Sequence, residues 1–278
     1  MTSGTLLTVA PTGAESAKAD VPALPVTVEE VVATARDCRA LGAAVIHLHV
    51  RGTDTRPTLD LPRVREVVAA VRETTDLVVQ LSTGGAVTDP FDARLAVLDA
   101  EPDAASLSLG TVNFGDDVFS NPWGLIVELH TRMQERGIVP EYEVFDLGQL
   151  ATLKRLLDRY GPPHGGHVHV DLVMGVPGGM PGTAQALTAC LPFLPAGATF
   201  AATGVGRTSL PVMLAALSAG GHLRVGMEDT LTYAPGEPVR DNAQLVARAA
   251  GLARIAQRPP MSTDDARSML GIKPMENS

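Results

Sequence analysis

The sequence predicts a closed (β/α)8 barrel, the TIM-barrel architecture of the α/β class. Eight apolar runs of strand length alternate with longer segments of helical period, and near-continuous apolar strands are typical of a parallel sheet that helices cover. The length of 278 residues fits one barrel of about 250 residues. An open doubly wound sheet is the alternative, but the first strand lacks the following G-x-G-x-x-G that a dinucleotide-binding sheet needs.

The elements follow in chain order. The strands are predicted at residues 5–10, 44–50, 77–82, 105–110, 140–146, 167–175, 199–204 and 223–228. The helices are predicted to begin near Thr27, Leu61, Asp89, Asn121, Leu147, Thr183, Ser209 and Asn242. Capping patterns support the first and third helices, namely "TVEE" and "DPFDARL" with its proline at the first helical position. We predict a single domain over residues 1–278, with a short C-terminal tail from about residue 259 to 278.

Composition limits the classes of partner. With 45% hydrophobic residues the chain can bury a large core, and its formal charge of -9 argues against nucleic acid or an anionic membrane as the main partner. Cys38 and Cys190 fall in helical segments and are predicted to be buried thiols rather than a disulfide. The N-terminus has no basic segment and only a short apolar run, which predicts a cytoplasmic protein.

A barrel collects reactive residues where its strands end, and every predicted strand of this chain ends in polar residues or glycine. These residues are Glu15, "HLHVR", "STGG", "GTVNFG", "GVPGGM", "GVGR", and Glu228 with Asp229, and the fifth strand itself carries Glu141 and Glu143.

The second strand carries two histidines one residue apart, in "AAVIHLHVRG". His47 and His49 must project from the same face, roughly 7 Å apart along the chain. Each could be an ordinary core residue, but a same-face pair at a strand end favours metal binding. A catalytic zinc site needs a third protein ligand and keeps one open position. Because strands eight and one are neighbours in a closed barrel, we predict Glu228 as that third ligand.

A second pair, His167 and His169 in "HVHVDLV", has the same spacing. It opens the sixth strand, near the barrel end where polar residues serve stability, so it is the weaker candidate. Asp229 is left at the rim, where it could act as a base near Arg224 or close the last turn as a structural ion pair. Glycine-rich turns such as "STGG" could hold a carboxylate or simply mark turns.

These motifs together resemble one family. The resembling segments, in order from about residue 5 to 258, are "APTGAES", "HLHVR", "STGGA", "GTVNFG", "EYEVFDLG", "GVPGGMP", "GVGR", "GGHLRVGMEDT" and "NAQLV". They look like the β-keto acid cleavage enzymes. The resemblance implies a zinc-dependent homotetramer that converts a β-keto acid and acetyl-CoA into acetoacetate and a new acyl-CoA, by Claisen-type condensation and cleavage.

The resemblance also implies roles for particular residues. The zinc ligands are the histidines of the HxH motif and the glutamate of R-x-G-x-E-D, here His47, His49 and Glu228. Asp229 is then the general base and Arg224 its partner. The substrate carboxylate is held by residues in two turns, namely Ser82, Gly84, Gly85, Thr111 and Asn113.

Glu15 and Glu143 match positions that face an ammonium group in the aminohexanoate-cleaving members. They predict a cationic β-keto acid, either an amine or a quaternary ammonium compound. The chain departs from the family pattern at "GVGRTSLP", where Thr208 and Ser209 follow Arg207 in place of an amide side chain, and no role is predicted for these three residues.

Two other functions fit part of the pattern. A zinc-dependent aldolase or hydrolase could use the same three ligands on another carbonyl substrate, independently of acetyl-CoA. A non-catalytic binding barrel is the other alternative, and loss of a metal ligand or of the base is its expected mark. The sequence retains the candidate metal ligands and the candidate base.

Overall fold

The computed structural model describes residues 4–274 and closes eight parallel strands into a barrel. The barrel strands are β1 (Leu7–Val9), β2 (Val45–Leu48), β3 (Val78–Leu81), β4 (Ala104–Ser108), β5 (Val139–Val144), β6 (His169–Met174), β7 (Thr199–Gly204) and β8 (His222–Val225). Each strand pairs with the next along the chain, and β8 pairs with β1. The predicted (β/α)8 barrel is confirmed.

Helices cover the outside of the barrel. They are α1 (Val28–Leu41), α2 (Leu61–Thr74), α3 (Phe91–Ala96), α4 (Trp123–Arg136), α5 (Leu147–Tyr160), α6 (Ala184–Cys190), α7 (Ser209–Ser218), α8 (Asn242–Ile255) and α9 (Thr263–Leu270). Thr27 caps α1 in a full capping box with Glu30, as "TVEE" predicts. The predicted cap of the third helix was wrong: the N-cap of α3 is Pro90 rather than Asp89. The Asp89 carboxylate instead accepts a hydrogen bond from the Ala86 amide and closes the preceding turn.

Two short hairpins sit beyond the barrel. One pairs Val112–Phe114 with Asp117–Phe119 after β4, and the other pairs Thr232–Ala234 with Glu237–Pro238 after β8. Both follow the carboxyl ends of barrel strands, so they lie at the end where a barrel carries its active site.

The inside of the barrel is mostly polar, whereas bulky branched residues usually fill a TIM barrel. Its lower end is apolar, where α9 and its neighbours supply Met261, Leu270 and Ile272 against residues such as Val45 and Val78. Above that plug, the barrel strands contribute buried polar side chains, namely Thr8, His47, Gln80, Ser106, Ser108, Glu141, Glu143, His169, Asp171, Thr203 and Arg224. The apolar residues that alternate with them form the main core beneath the helices.

The predicted tail contains α9, which forms that plug, and its last residues, 275–278, lie outside the described part of the chain. Cys38 and Cys190 are buried free thiols, as predicted. Across residues 4–274, no helix combines the length and apolar character that a membrane crossing requires.

Candidate active site

The predicted metal ligands meet at the carboxyl end of the barrel. His47 lies in β2 and His49 just after it, with ring centroids 5.3 Å apart. Glu228 follows β8, and its Oε1 lies 3.8 Å from Nε2 of His47 and 3.5 Å from Nε2 of His49. The three side chains offer ligand atoms within 4.8 Å of one another.

A glycine lets the chain after β8 reach this position. A Cβ on Gly226 would fall only 1.8 Å from the Ala10 carbonyl oxygen, so no other residue fits so close to the end of β1. The Ala10 carbonyl accepts a hydrogen bond from the Glu228 amide at 3.2 Å. Closure of the barrel between β8 and β1 therefore delivers Glu228 to the histidine pair.

The residues present fit a zinc ion. His47 Nε2 and Glu228 Oε2 are buried without a hydrogen-bond partner, an arrangement that costs free energy unless a ligand satisfies them. Adjacent ligand atoms in a tetrahedral zinc site lie roughly 3.3 Å apart, given bonds of about 2.05 Å. Two imidazoles and a carboxylate are also a set that catalytic zinc sites use, with the fourth position open.

The protonation of His47 suits the same role. Burial lowers the pKa of His47 to about 3, and the charge of Arg224 adds to this effect. The ring is therefore neutral at pH 7, the form that binds metal. Its Nδ1 lies 2.5 Å from the Gln80 side-chain oxygen; that oxygen can only accept, so Nδ1 carries the proton and Nε2 keeps its lone pair.

The rival histidine pair lies elsewhere. His169 begins β6 near the lower end of the barrel. The Thr199 hydroxyl lies 2.7 Å from Nδ1 of His169 and 2.8 Å from Nε2 of His167. Glu141 is 3.6 Å from His169 Nε2. In residues 4–274, only His47, His49 and Glu228 come together as three side chains close enough to share an ion.

Arg224 holds the carboxylates around the site. Its guanidinium donates to Glu228, to Asp229 at 3.2 Å and to Glu143 at 3.2 Å, and its side chain is only 4% exposed. The surrounding carboxylates raise the pKa of Arg224 despite its burial. Burial raises the pKa of Asp229 to about 7 against the attraction of Arg224. Asp229 thus forms the predicted ion pair and also has a pKa suited to accepting a proton near neutral pH.

A pocket of about 250 Å³ opens above these groups. Nine residues predicted for the site line it, namely Glu15, His49, Ser82, Gly84, Gly85, Glu143, Arg224, Glu228 and Asp229. His47 is buried behind it. Ser82 Oγ accepts a hydrogen bond from the Gly84 amide at 3.0 Å, which leaves the hydroxyl proton free to donate into the pocket.

Thr111 and Asn113 do not reach this pocket. They line a separate shallow cavity with Asp146 and Gln149, and Thr111 Oγ1 accepts from the Asn121 amide. "GTVNFG" is part of a hairpin whose side chains alternate: Phe114 faces the pocket, whereas Asn113 faces outward. The expectation that these two residues hold the substrate carboxylate therefore needs correction.

The expected pair of free carboxylates in the distal pocket is not formed either. Glu143 binds Arg224 and also accepts from the Ser108 hydroxyl at 2.8 Å, so both of its oxygens are already hydrogen-bonded within the protein. Glu15 is exposed at the pocket mouth. Of the two carboxylates that predicted a cationic substrate, Glu143 is thus hydrogen-bonded within the protein and Glu15 is exposed to water.

The departure at "GVGRTSLP" lies at the edge of the site. Arg207 is exposed in a 3-10 turn, Gly206–Thr208, and the Thr208 hydroxyl donates to the Val205 carbonyl at 2.7 Å. Ser209 begins α7. The three residues shape the turn, and Val205 just before them faces the pocket.

Sequence reasoning missed the apolar side of the pocket and the partner of His47. Phe114, Phe119 and Phe145 line the pocket, and Gln80 accepts a hydrogen bond from His47. Phe114 and Phe119 flank a Gly-Asp turn, "FGDDVF", which is a hairpin signal. Gln80, a single polar residue in the apolar run "LVVQLS", has no local signal that points to His47.

Known proteins resemble the chain along nearly its whole length. Residues 5–272 match the model of the beta-keto acid cleavage enzyme family. The 3-keto-5-aminohexanoate cleavage enzyme of Acetoanaerobium sticklandii is 37% identical over 96% of this chain and 98% of that protein. The 3-oxoadipate:acetyl-CoA acetyltransferase of Cupriavidus necator is 34% identical over 99% of this chain and 98% of that protein.

A solved structure shares the fold. The apo structure of ObcA aligns with a TM-score of 0.79 at 21% identity, over 90% of this chain and 66% of that one. At this identity the likeness shows the barrel alone. The family match and the two relatives show more than the fold: the chain is an enzyme that belongs to the β-keto acid cleavage enzyme family.

Proposed function

We propose that the protein is a zinc-dependent enzyme that converts a β-keto acid and acetyl-CoA into acetoacetate and a new acyl-CoA. The observation that carries the proposal is the group His47, His49 and Glu228 beside Asp229 in a family member. His49, Glu228 and Asp229 line one pocket, and His47 is buried behind it. Acetyl-CoA as the second substrate is supported by relatives whose names specify it, such as the 3-oxoadipate:acetyl-CoA acetyltransferase.

The two histidines and Glu228 would hold the zinc. The ion would supply a Lewis acid that polarises the keto and carboxylate oxygens of the substrate. Arg224 keeps Glu228 and Asp229 in place through hydrogen bonds to both. The free Ser82 hydroxyl proton and the glycine turn after it supply donors for the substrate carboxylate.

Asp229 acts as the base. It removes a proton from C2 of the β-keto acid, and the resulting carbanion attacks the acetyl carbonyl of acetyl-CoA, with CoA thiolate as leaving group. The thiolate then adds to the original keto carbon. Cleavage of the bond between C2 and that carbon releases the new acyl-CoA, and the acetoacetate carbanion takes back a proton. All atoms of the two substrates are accounted for in the two products.

The test combines metal content with acetyl-CoA-dependent release of acetoacetate. We expect about one zinc per chain in the wild type, and loss of both metal and turnover in His49→Ala. His167→Ala is the matched control, because it removes a histidine of the rival pair and should keep the zinc. Wild-type protein that binds no zinc, or turnover that does not need acetyl-CoA, contradicts the proposal, and the second result favours an aldolase or hydrolase.

The homotetramer implied by the resemblance and the cytoplasmic location stay predictions. Light scattering of the purified protein checks the first of them.

A further inference from the structure

The far side of the pocket is a continuous apolar surface, which we call the aromatic wall. It consists of Val87, Phe114, Phe119, Phe145, Val173, Val176 and Val205. The three phenylalanine rings meet edge to face, with centroids 6.2 to 6.3 Å apart, a favourable arrangement for aromatic side chains. The wall is thus a packed, preformed surface.

The topology places the aromatic wall opposite the proposed zinc ligands. The ligands come from β2 and the loop after β8, the two neighbours of β1, whereas Phe145 follows β5, Val173 lies in β6 and Val176 follows β6, across the barrel. A β-keto acid whose carboxylate and keto oxygen face the ligands therefore directs its remaining acyl side chain at the wall.

The two carboxylates near that side chain are either already hydrogen-bonded or exposed to water. Glu143 is engaged by Arg224 and Ser108, and Glu15 is exposed at the mouth, where water screens its charge. A cationic side chain at the wall would lose its hydration, and the buried Glu143 already makes hydrogen bonds to other groups, so such burial is costly.

A buried cation lies behind the wall. The Arg94 guanidinium sits 4.9 Å from the Phe119 ring centroid and donates to three neutral oxygens, the Thr83 and Ser120 carbonyls and the Asn121 side chain. Burial lowers the pKa of Arg94 to about 10, so it remains charged at pH 7. Its positive charge already makes a cation–π interaction with one face of the Phe119 ring. The same charge repels a second cation on the pocket side of that ring.

We infer that this enzyme acts on β-keto acids whose acyl side chain is uncharged and apolar, rather than cationic. This inference rests on the proposed function and specifies its substrate class. The aromatic wall is the specificity-determining surface, because it lines the part of the pocket that the reacting atoms leave free.

The first experiment compares three β-keto acids of equal chain length at fixed acetyl-CoA. They are 3-oxohexanoate, with an alkyl side chain, 3-keto-5-aminohexanoate, with a cationic one, and 3-oxoadipate, with an anionic one. We expect kcat/KM for 3-oxohexanoate to exceed both others at least about tenfold. 3-Oxopentanoate, one methylene shorter, should be about fourfold poorer than 3-oxohexanoate, the factor that one buried methylene contributes.

The second experiment places a charge on the wall. Val205 is half-buried and faces the pocket, so Val205→Asp should lower kcat/KM for 3-oxohexanoate about tenfold or more and raise the relative rate of the cationic substrate. Val118→Asp is the matched control. Val118 is 51% exposed and pairs with Asn113 on the outer face of the same hairpin, so its replacement should leave the order of the three substrates unchanged.

The outcomes separate the inference from the proposed function. Turnover of none of the three acids overturns the proposed function. Turnover that is fastest with the cationic or the anionic acid overturns only the inference. An equal effect of Val205→Asp on the alkyl and the cationic substrate also overturns the inference, because it would mean that the aromatic wall does not distinguish between substrate side chains.

Discussion

Gln80 and His47 are directly paired across β2 and β3, and Gln80 Oε1 accepts a hydrogen bond from His47 Nδ1 at 2.5 Å. Both side chains are buried. The bond leaves the lone pair of Nε2 directed toward Glu228, on the side where that atom has no partner. The amide therefore selects the ring form and orientation that a metal needs.

Gln80→Leu should weaken zinc binding by about 10- to 100-fold, the usual effect of removing such a partner. Gln80→Glu keeps an acceptor for Nδ1 and should bind zinc more tightly than the leucine variant. Competition with a chelator on the metal-free protein measures both affinities. Wild-type affinity in Gln80→Leu would mean that Gln80 does not position His47.

Asp229→Asn should lower kcat by about 10² to 10⁴, the range expected for loss of a general base, and leave zinc content unchanged. The amide has the same shape but cannot take the C2 proton. NMR of the β-keto acid in D2O, without acetyl-CoA, reports enzyme-catalysed exchange at C2. Exchange at the wild-type rate in the variant would assign the base to another group.

Arg224→Met should destabilise the fold by about 3–5 kcal/mol, because it leaves Glu143, Glu228 and Asp229 buried without their shared cation. Arg240→Met is the control. Arg240 pairs with Asp241 at the surface with 73% of its side chain exposed, and such pairs contribute less than about 1 kcal/mol. Urea denaturation of both variants gives the comparison, and equal losses in the two would contradict the role assigned to Arg224.

Glu141→Gln should change how stability depends on pH. Burial raises the pKa of Glu141 to about 8, and the neighbouring Asp171 adds to this, whereas the unfolded value is about 4.3. The folded protein thus holds a proton that the unfolded chain releases, so wild-type stability is complete below the unfolded pKa and falls as the pH rises toward 8.

Glutamine does not titrate, so the variant should match the wild type near pH 4 and be the more stable protein at pH 8. The difference should grow by up to about 1.4 kcal/mol for each pH unit between the two pKa values. Urea denaturation at both pH values measures it. A difference that stays constant between them would mean that Glu141 is ionised throughout.

Local sequence patterns determined the elements of this protein and the faces of its strands. Apolar runs and caps located the eight strands and the helix starts, because these signals depend on a few neighbouring residues. Alternation placed His47 and His49 on one face, and closure of a predicted barrel brought Glu228 to them. Those steps needed only periodicity and the order of strands.

Tertiary structure decided the partners and the charge of the pocket. Glu143 looked like a free carboxylate until Arg224, 81 residues away, proved to be its partner. Thr111 and Asn113 were expected in the site, but a hairpin turned them outward and presented Phe114 instead. Such contacts join residues that are far apart in the chain, and loop direction depends on packing against the rest of the fold, so no local pattern specifies them.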